Sequence, residues 1–85
     1  MEKIFAVFTN RNGAMQFASY LKRLGISAKT INTPRELSAS CGISVVFDMR
    51  SFDQAKVLIE KYGFGGMVKL YLVSGLSYNK YRRIL

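Results

Sequence analysis

Cys41 is the one cysteine in the chain, and histidine is absent. Without histidine the sequence lacks the commonest general base, pH switch and metal ligand. A lone thiol forms neither an internal disulfide nor a multi-cysteine zinc site. Cysteine proteases activate their thiol through a neighbouring base, and no such base is present here. Two readings of Cys41 remain. It can be an accessible, reactive thiol, or it can serve as a small buried hydrophobe with an inert thiol. The other candidate groups are weaker. Asp48 and Asp53 are isolated carboxylates with nothing to pair them as acid and base. Arg11 and Asn12, beside a helix N-terminus, are a candidate oxyanion site, with an ordinary helix cap and an exposed arginine as the structural alternative. No phosphate-binding Gly-x-x-x-x-Gly-Lys, dinucleotide fingerprint or metal-ligand cluster occurs, so no cofactor is expected.

The elements that must position Cys41 follow from apolar spacing. Lys3 to Phe8 alternates Ile4, Ala6 and Phe8 with Phe5 and Val7, so both faces are apolar, as in a central strand. Thr9-Asn10-Arg11-Asn12-Gly13 supplies turn and N-cap chemistry. Ala14, Phe17, Ala18, Leu21 and Leu24 then form a helical stripe, closed by Lys22, Arg23 and Gly25. Short strands are expected over Ser27–Ile31 and Gly42–Asp48. Ser51-x-x-Gln54 reads as a capping box opening a helix with Phe52, Ala55, Leu58, Ile59 and Tyr62 on one side. Gly63-Phe64-Gly65-Gly66 stops it, and Met67–Val73 is the last strand. The order β-α-β, loop, β-α-β predicts an α+β fold: a ferredoxin-like βαββαβ two-layer sandwich. Its four-stranded antiparallel sheet would have strand order 4-1-3-2 and two helices on one face. The domain spans 1–75, and 76–85 is a basic tail. Tyr78, Tyr81 and Leu85 share the spacing of a short helix in that tail.

The segment Thr33-Pro34-Arg35-Glu36-Leu37-Ser38-Ala39-Ser40-Cys41-Gly42 joins the second and third strands. Thr33 and Glu36 form a capping box with Pro34 at the first helical position, which predicts one helical turn. A hairpin is ordinarily closed by two to five residues, and connections longer than that tend to be functional. The loop brings Cys41 to the start of a central strand. Gly42 either gives a reactant access to the sulfur or takes a positive φ. Ser38, Ser40 and nearby amides are candidate donors to an anionic sulfur species. Cys41 follows the helical turn, so the dipole of that turn does not lower its pKa; Arg35 and the basic surface are the candidates for that effect.

The run TPRELSASCG resembles the signature of a family of small bacterial domains described as selenium/sulfur carrier protein-like. The likeness extends over Ile4 to Leu72, with the ten residues of the run as its specific part. It implies that Cys41 holds sulfur or selenium as a persulfide or selenosulfide. The chalcogen would come from a cysteine desulfurase or selenocysteine lyase-type donor and pass to an acceptor, so the chain acts as a carrier more than as a turnover enzyme. Better-understood sulfur carriers place proline directly after the cysteine; Gly42 stands there in this chain.

Composition sets the outer bounds. At 85 residues, 49% hydrophobic and 21% charged, the chain is one globular domain. Thirteen Lys and Arg against five Asp and Glu give a net charge of +8, which attracts anions. The N-terminus shows no signal-peptide pattern and no apolar run reaches the length of a membrane span, which with the single cysteine suggests the reducing cytoplasm. The alternative function is a small basic RNA-binding or protein-interaction module with an inert Cys41. The fold class, the charge and the Tyr/Arg/Lys tail favour RNA, but Ile43 and Val45 stand where RNA-recognition modules carry stacking aromatics. Because two helices cover one sheet face and both faces read as apolar, a homodimer through the uncovered face is expected, with the tail as the rival cover.

Overall fold

The computed structural model describes residues 2–33, 37, 42–65, 68–73 and 81–84, with residues 81–83 described by backbone only. Its elements are β1 (Lys3–Phe8), α1 (Arg11–Arg23), β2 (Ala28–Asn32), β3 (Ile43–Asp48), α2 (Phe52–Tyr62), β4 (Val68–Val73) and β5 (Tyr81–Arg83). The strands form one sheet in the order β2-β3-β1-β4-β5, and every pairing is antiparallel. The first four strands have the expected order, and the architecture is an α+β two-layer sandwich. No helix among the described residues is long and apolar enough to cross a membrane.

Register explains why one sheet face takes both helices. Ile4 pairs with Phe47 and Leu72, and Ala6 with Val45 and Leu70. Successive side chains of a strand point to opposite faces, so these residues share one face. All of them are buried in a single cluster with Ala14, Phe17, Ala18 and Leu21 of α1 and Ala55 of α2. Phe52, Leu58 and Ile59 of α2 pack against it. Aromatic rings fill its centre: Phe17 lies 5.2 Å from Phe8, 5.8 Å from Phe47 and 5.4 Å from Phe64, centroid to centroid. Tyr62, 46% exposed, does not enter the core as its place in the helical stripe suggested; it stacks on Tyr20 at 4.8 Å.

Both helix starts are set by local chemistry. Asn10 caps α1, its side chain accepting from Gly13 N at 2.6 Å. Gly13 has a further role, because a Cβ there would overlap the Phe64 carbonyl oxygen. The turn Gly63–Gly65 thus lies directly on the first turn of α1. The expected Ser51/Gln54 capping box is not formed: Ser51 makes no side-chain cap bond. The chain enters α2 through a 3-10 turn over Met49–Ser51, and its cap is Asp48, which accepts from Arg50 N at 2.8 Å. An aspartate at the end of a strand is well placed to satisfy the first free N–H groups, which displaces the cap by three residues.

The tail also differs from expectation. Tyr81–Arg83 is a strand, not part of a helix; Tyr71 pairs with Arg83, Leu72 with Arg82 and Val73 with Tyr81. Ile84 N donates to Leu70 O at 2.8 Å, and Ile84 packs against the core cluster. A sheet edge offers a row of unpaired N–H and C=O groups. Pairing with that row outweighs the weak helical preference of so short a segment. Tyr78, Lys80 and Leu85 lie outside the described residues.

Candidate functional site

The site is the base of the loop between β2 and β3. Asn32 pairs with Ile43 at the end of the ladder, and Thr33 N donates to Gly42 O at 2.8 Å one step further. The Thr33 hydroxyl makes a second bridge, 2.6 Å from the Ser44 hydroxyl. Two hydrogen bonds therefore close the loop at its neck. Cys41 is bonded to Gly42 and so is tethered to this neck, one residue outside it. Cys41 itself lies outside the described residues, as do Pro34, Arg35, Glu36, Ser38 and Ser40. Of the residues between Thr33 and Gly42 only Leu37 is described, and it is buried.

Gly42 has the positive φ that the sequence offered as one of its two uses. Its φ is +73, and an added Cβ would meet nothing within 4 Å. The left-handed backbone is by itself a sufficient reason for glycine here. That conformation turns the chain out of the loop and into β3 directly after the cysteine.

Ser44 is the neck residue the sequence reading missed. It is the one polar residue buried in full among the described residues. It pairs with Ile31 on one side and Val7 on the other, so its hydroxyl sits between apolar neighbours. Buried hydroxyls need a partner, and Thr33 supplies it. The available signal was Ser44 itself, a lone polar residue in the apolar run Ile43–Phe47 of a central strand.

The other candidate groups lie elsewhere. Arg11 and Asn12 are exposed in the first turn of α1. The Gly13 N–H of that turn is already taken by the Asn10 side chain, whose Nδ2 in turn reaches Phe64 O at 3.5 Å. Asp48 belongs to the opposite end of β3. Its carboxylate accepts from Arg50 N and, at 3.2 Å, from Arg50 Nε. The backbone N–H of Arg50 first, and then its guanidinium, hold the acid below its ordinary value.

Residues 3–66 match the family described as "Putative Se/S carrier protein-like". The match spans most of the 85 residues, including the whole β2–β3 loop, and the chain belongs to that family. No curated protein and no solved structure matches it.

Proposed function

We propose that the chain carries sulfur or selenium on Cys41. The observation that carries the reading is family membership, because the matched residues 3–66 include the sole thiol of the chain. The closed neck supports it: Thr33, Gly42 and Ser44 anchor the loop on the sheet, giving the thiol a defined point of attachment. The donor is a protein of the cysteine desulfurase or selenocysteine lyase type that holds the chalcogen as a persulfide or selenosulfide. The Cys41 thiolate attacks the outer chalcogen of the donor. A new S–S or S–Se bond forms on Cys41, the donor bond breaks, and the donor sulfur leaves as a thiolate. The step is redox-neutral, needs no general base beyond the ionisation of the thiol, and so suits a chain without histidine. A persulfide is more acidic than its parent thiol, so the loaded form is an anion, favoured by a chain of net charge +8.

Intact mass spectrometry after incubation with a cysteine desulfurase, cysteine and pyridoxal phosphate tests the reading. The wild-type chain should gain the mass of one sulfur atom, removable by dithiothreitol, and Cys41→Ser should gain nothing while staying folded. No adduct on the wild type, with Cys41→Ser costing the roughly 1–3 kcal/mol of a disturbed core, would make Cys41 a packing residue.

A further inference from the structure

We infer that the groove between the two helices is the contact surface of a homodimer in which α2 packs antiparallel on α2 of a second copy, independently of the chemistry at Cys41. The sheet face opposite the helices is not open for this purpose. Val7, Ser44 and Val73, which the register places there, are already buried within one chain. Exposed apolar surface gathers on the helical side instead. Leu24, Val57 and Tyr62 are 52%, 59% and 46% exposed, and all three line one groove of about 410 Å³ between the end of α1 and the length of α2. Leu24 continues the stripe of α1 in the sequence, yet the buried cluster takes that stripe only as far as Leu21.

Charge chooses the occupant. Asp53 and Lys61 line the same groove. They stand four residues before and four after Val57, so the three share one face of α2. Among the described residues the only ion pair is Arg50 with Asp48, and neither Asp53 nor Lys61 takes part in one. The pattern of acid, apolar residue and base is self-complementary. A two-fold axis at Val57 reverses the second helix, setting Asp53 of each copy against Lys61 of the other and the two valines together at the centre. A uniformly acidic partner would face Asp53, and a uniformly basic one Lys61; a reversed copy meets both with the opposite sign. The net charge of +8 resists self-association. The groove itself, however, carries one acid and one base, and charges farther than about 8 Å away are largely screened at physiological salt. The groove is small beside the roughly 20–30 residues a side of a standard interface, so the dimer is a weak one.

Sedimentation equilibrium of the full chain from about 10 µM to about 1 mM, at about 0.15 M salt, tests the inference. Dithiothreitol is present throughout, so that Cys41 forms no cross-link. The mass should rise with concentration from that of one chain toward that of two. Val57→Lys sets two like charges at the axis, on an exposed position where lysine suits a helix, and should hold the chain as a monomer. Asp53→Lys and Lys61→Asp each put like charges at both ends of the pairing and should weaken the dimer at least about fivefold. An equal mixture of these two variants restores two opposite pairs and should regain association. Glu2→Lys makes the same change of net charge as Asp53→Lys at an exposed position outside the groove, and should associate as wild type does. So should Cys41→Ser, which separates this inference from the carrier reading. Both charge reversals oppose the dipole of α2, so circular dichroism checks that each variant is folded, and Val57→Lys carries the test if either is not. A single-chain mass over the whole range, a dimer that survives Val57→Lys, or a mixture of folded variants that stays monomeric overturns the inference.

Discussion

The Thr33–Ser44 pair permits a quantitative test of the loop neck. Ser44 is fully buried, Thr33 partly so, and their hydroxyl oxygens are 2.6 Å apart. Thr33→Val keeps the shape of the side chain but leaves the Ser44 hydroxyl buried without its partner, at a cost of about 1–3 kcal/mol. Ser44→Ala removes the buried group itself. The Thr33 hydroxyl that remains is near the surface and can turn to water, so only the net value of one hydrogen bond is lost, about 0.5–1.5 kcal/mol. The two changes should not add. In Thr33→Val/Ser44→Ala no orphaned hydroxyl remains, and the double variant should be more stable than Thr33→Val alone, with a coupling energy on the order of 1 kcal/mol. Urea and thermal unfolding followed by circular dichroism measure all four proteins. For a domain of this size 1 kcal/mol corresponds to about 4–8 °C in Tm. If the double variant loses the sum of the single losses, or Ser44→Ala is as costly as Thr33→Val, the hydroxyls are not a coupled buried pair and the neck is not held in this way. Donor-dependent sulfur loading of the same variants would then show whether a loosened neck slows transfer to Cys41.

Two further outcomes follow from local geometry. Gly13→Ala should destabilise the fold by about 1–3 kcal/mol, the opposite sign to the roughly 1 kcal/mol that alanine gains over glycine in a helix interior, because its Cβ would meet the Phe64 carbonyl oxygen; a Tm at or above that of wild type would refute the contact. The Asp48 pKa is lowered in the fold, so its contribution to stability is complete above the ordinary carboxylate range and is lost as pH falls through the folded value; the stability gap between wild type and Asp48→Asn should narrow over that acid window, and a gap that does not change with pH would count against the cap.

The sequence alone determined the α+β class, the order of the first four strands and the place of both helices. Each rests on short-range rules: alternation in Ile4–Phe8, the helical stripe from Ala14 to Leu21, and Gly25 and Gly63 at helix ends. It also singled out Cys41 and the family, because composition and a ten-residue run need no tertiary information. Partnerships across the chain could not be read in this way. Ser51 and Gln54 have the spacing of a capping box, yet Asp48 caps the turn before them. The tail has a helical spacing, yet the unpaired edge of β4 recruits Tyr81–Arg83 as a strand. That Gly42 takes a positive φ could be offered by the sequence only as one of two uses, and the folded backbone shows it. Thr33 and Ser44 are eleven residues apart, and only the register of β2 against β3 makes them a bonded pair. The same register sends Ile43 and Val45 toward the helices and turns Phe5 and Tyr71, distant in the chain, into neighbours on the other face. Hydrogen-bond partners and face assignments depend on which strands lie side by side, and that is a property of the folded sheet as a whole.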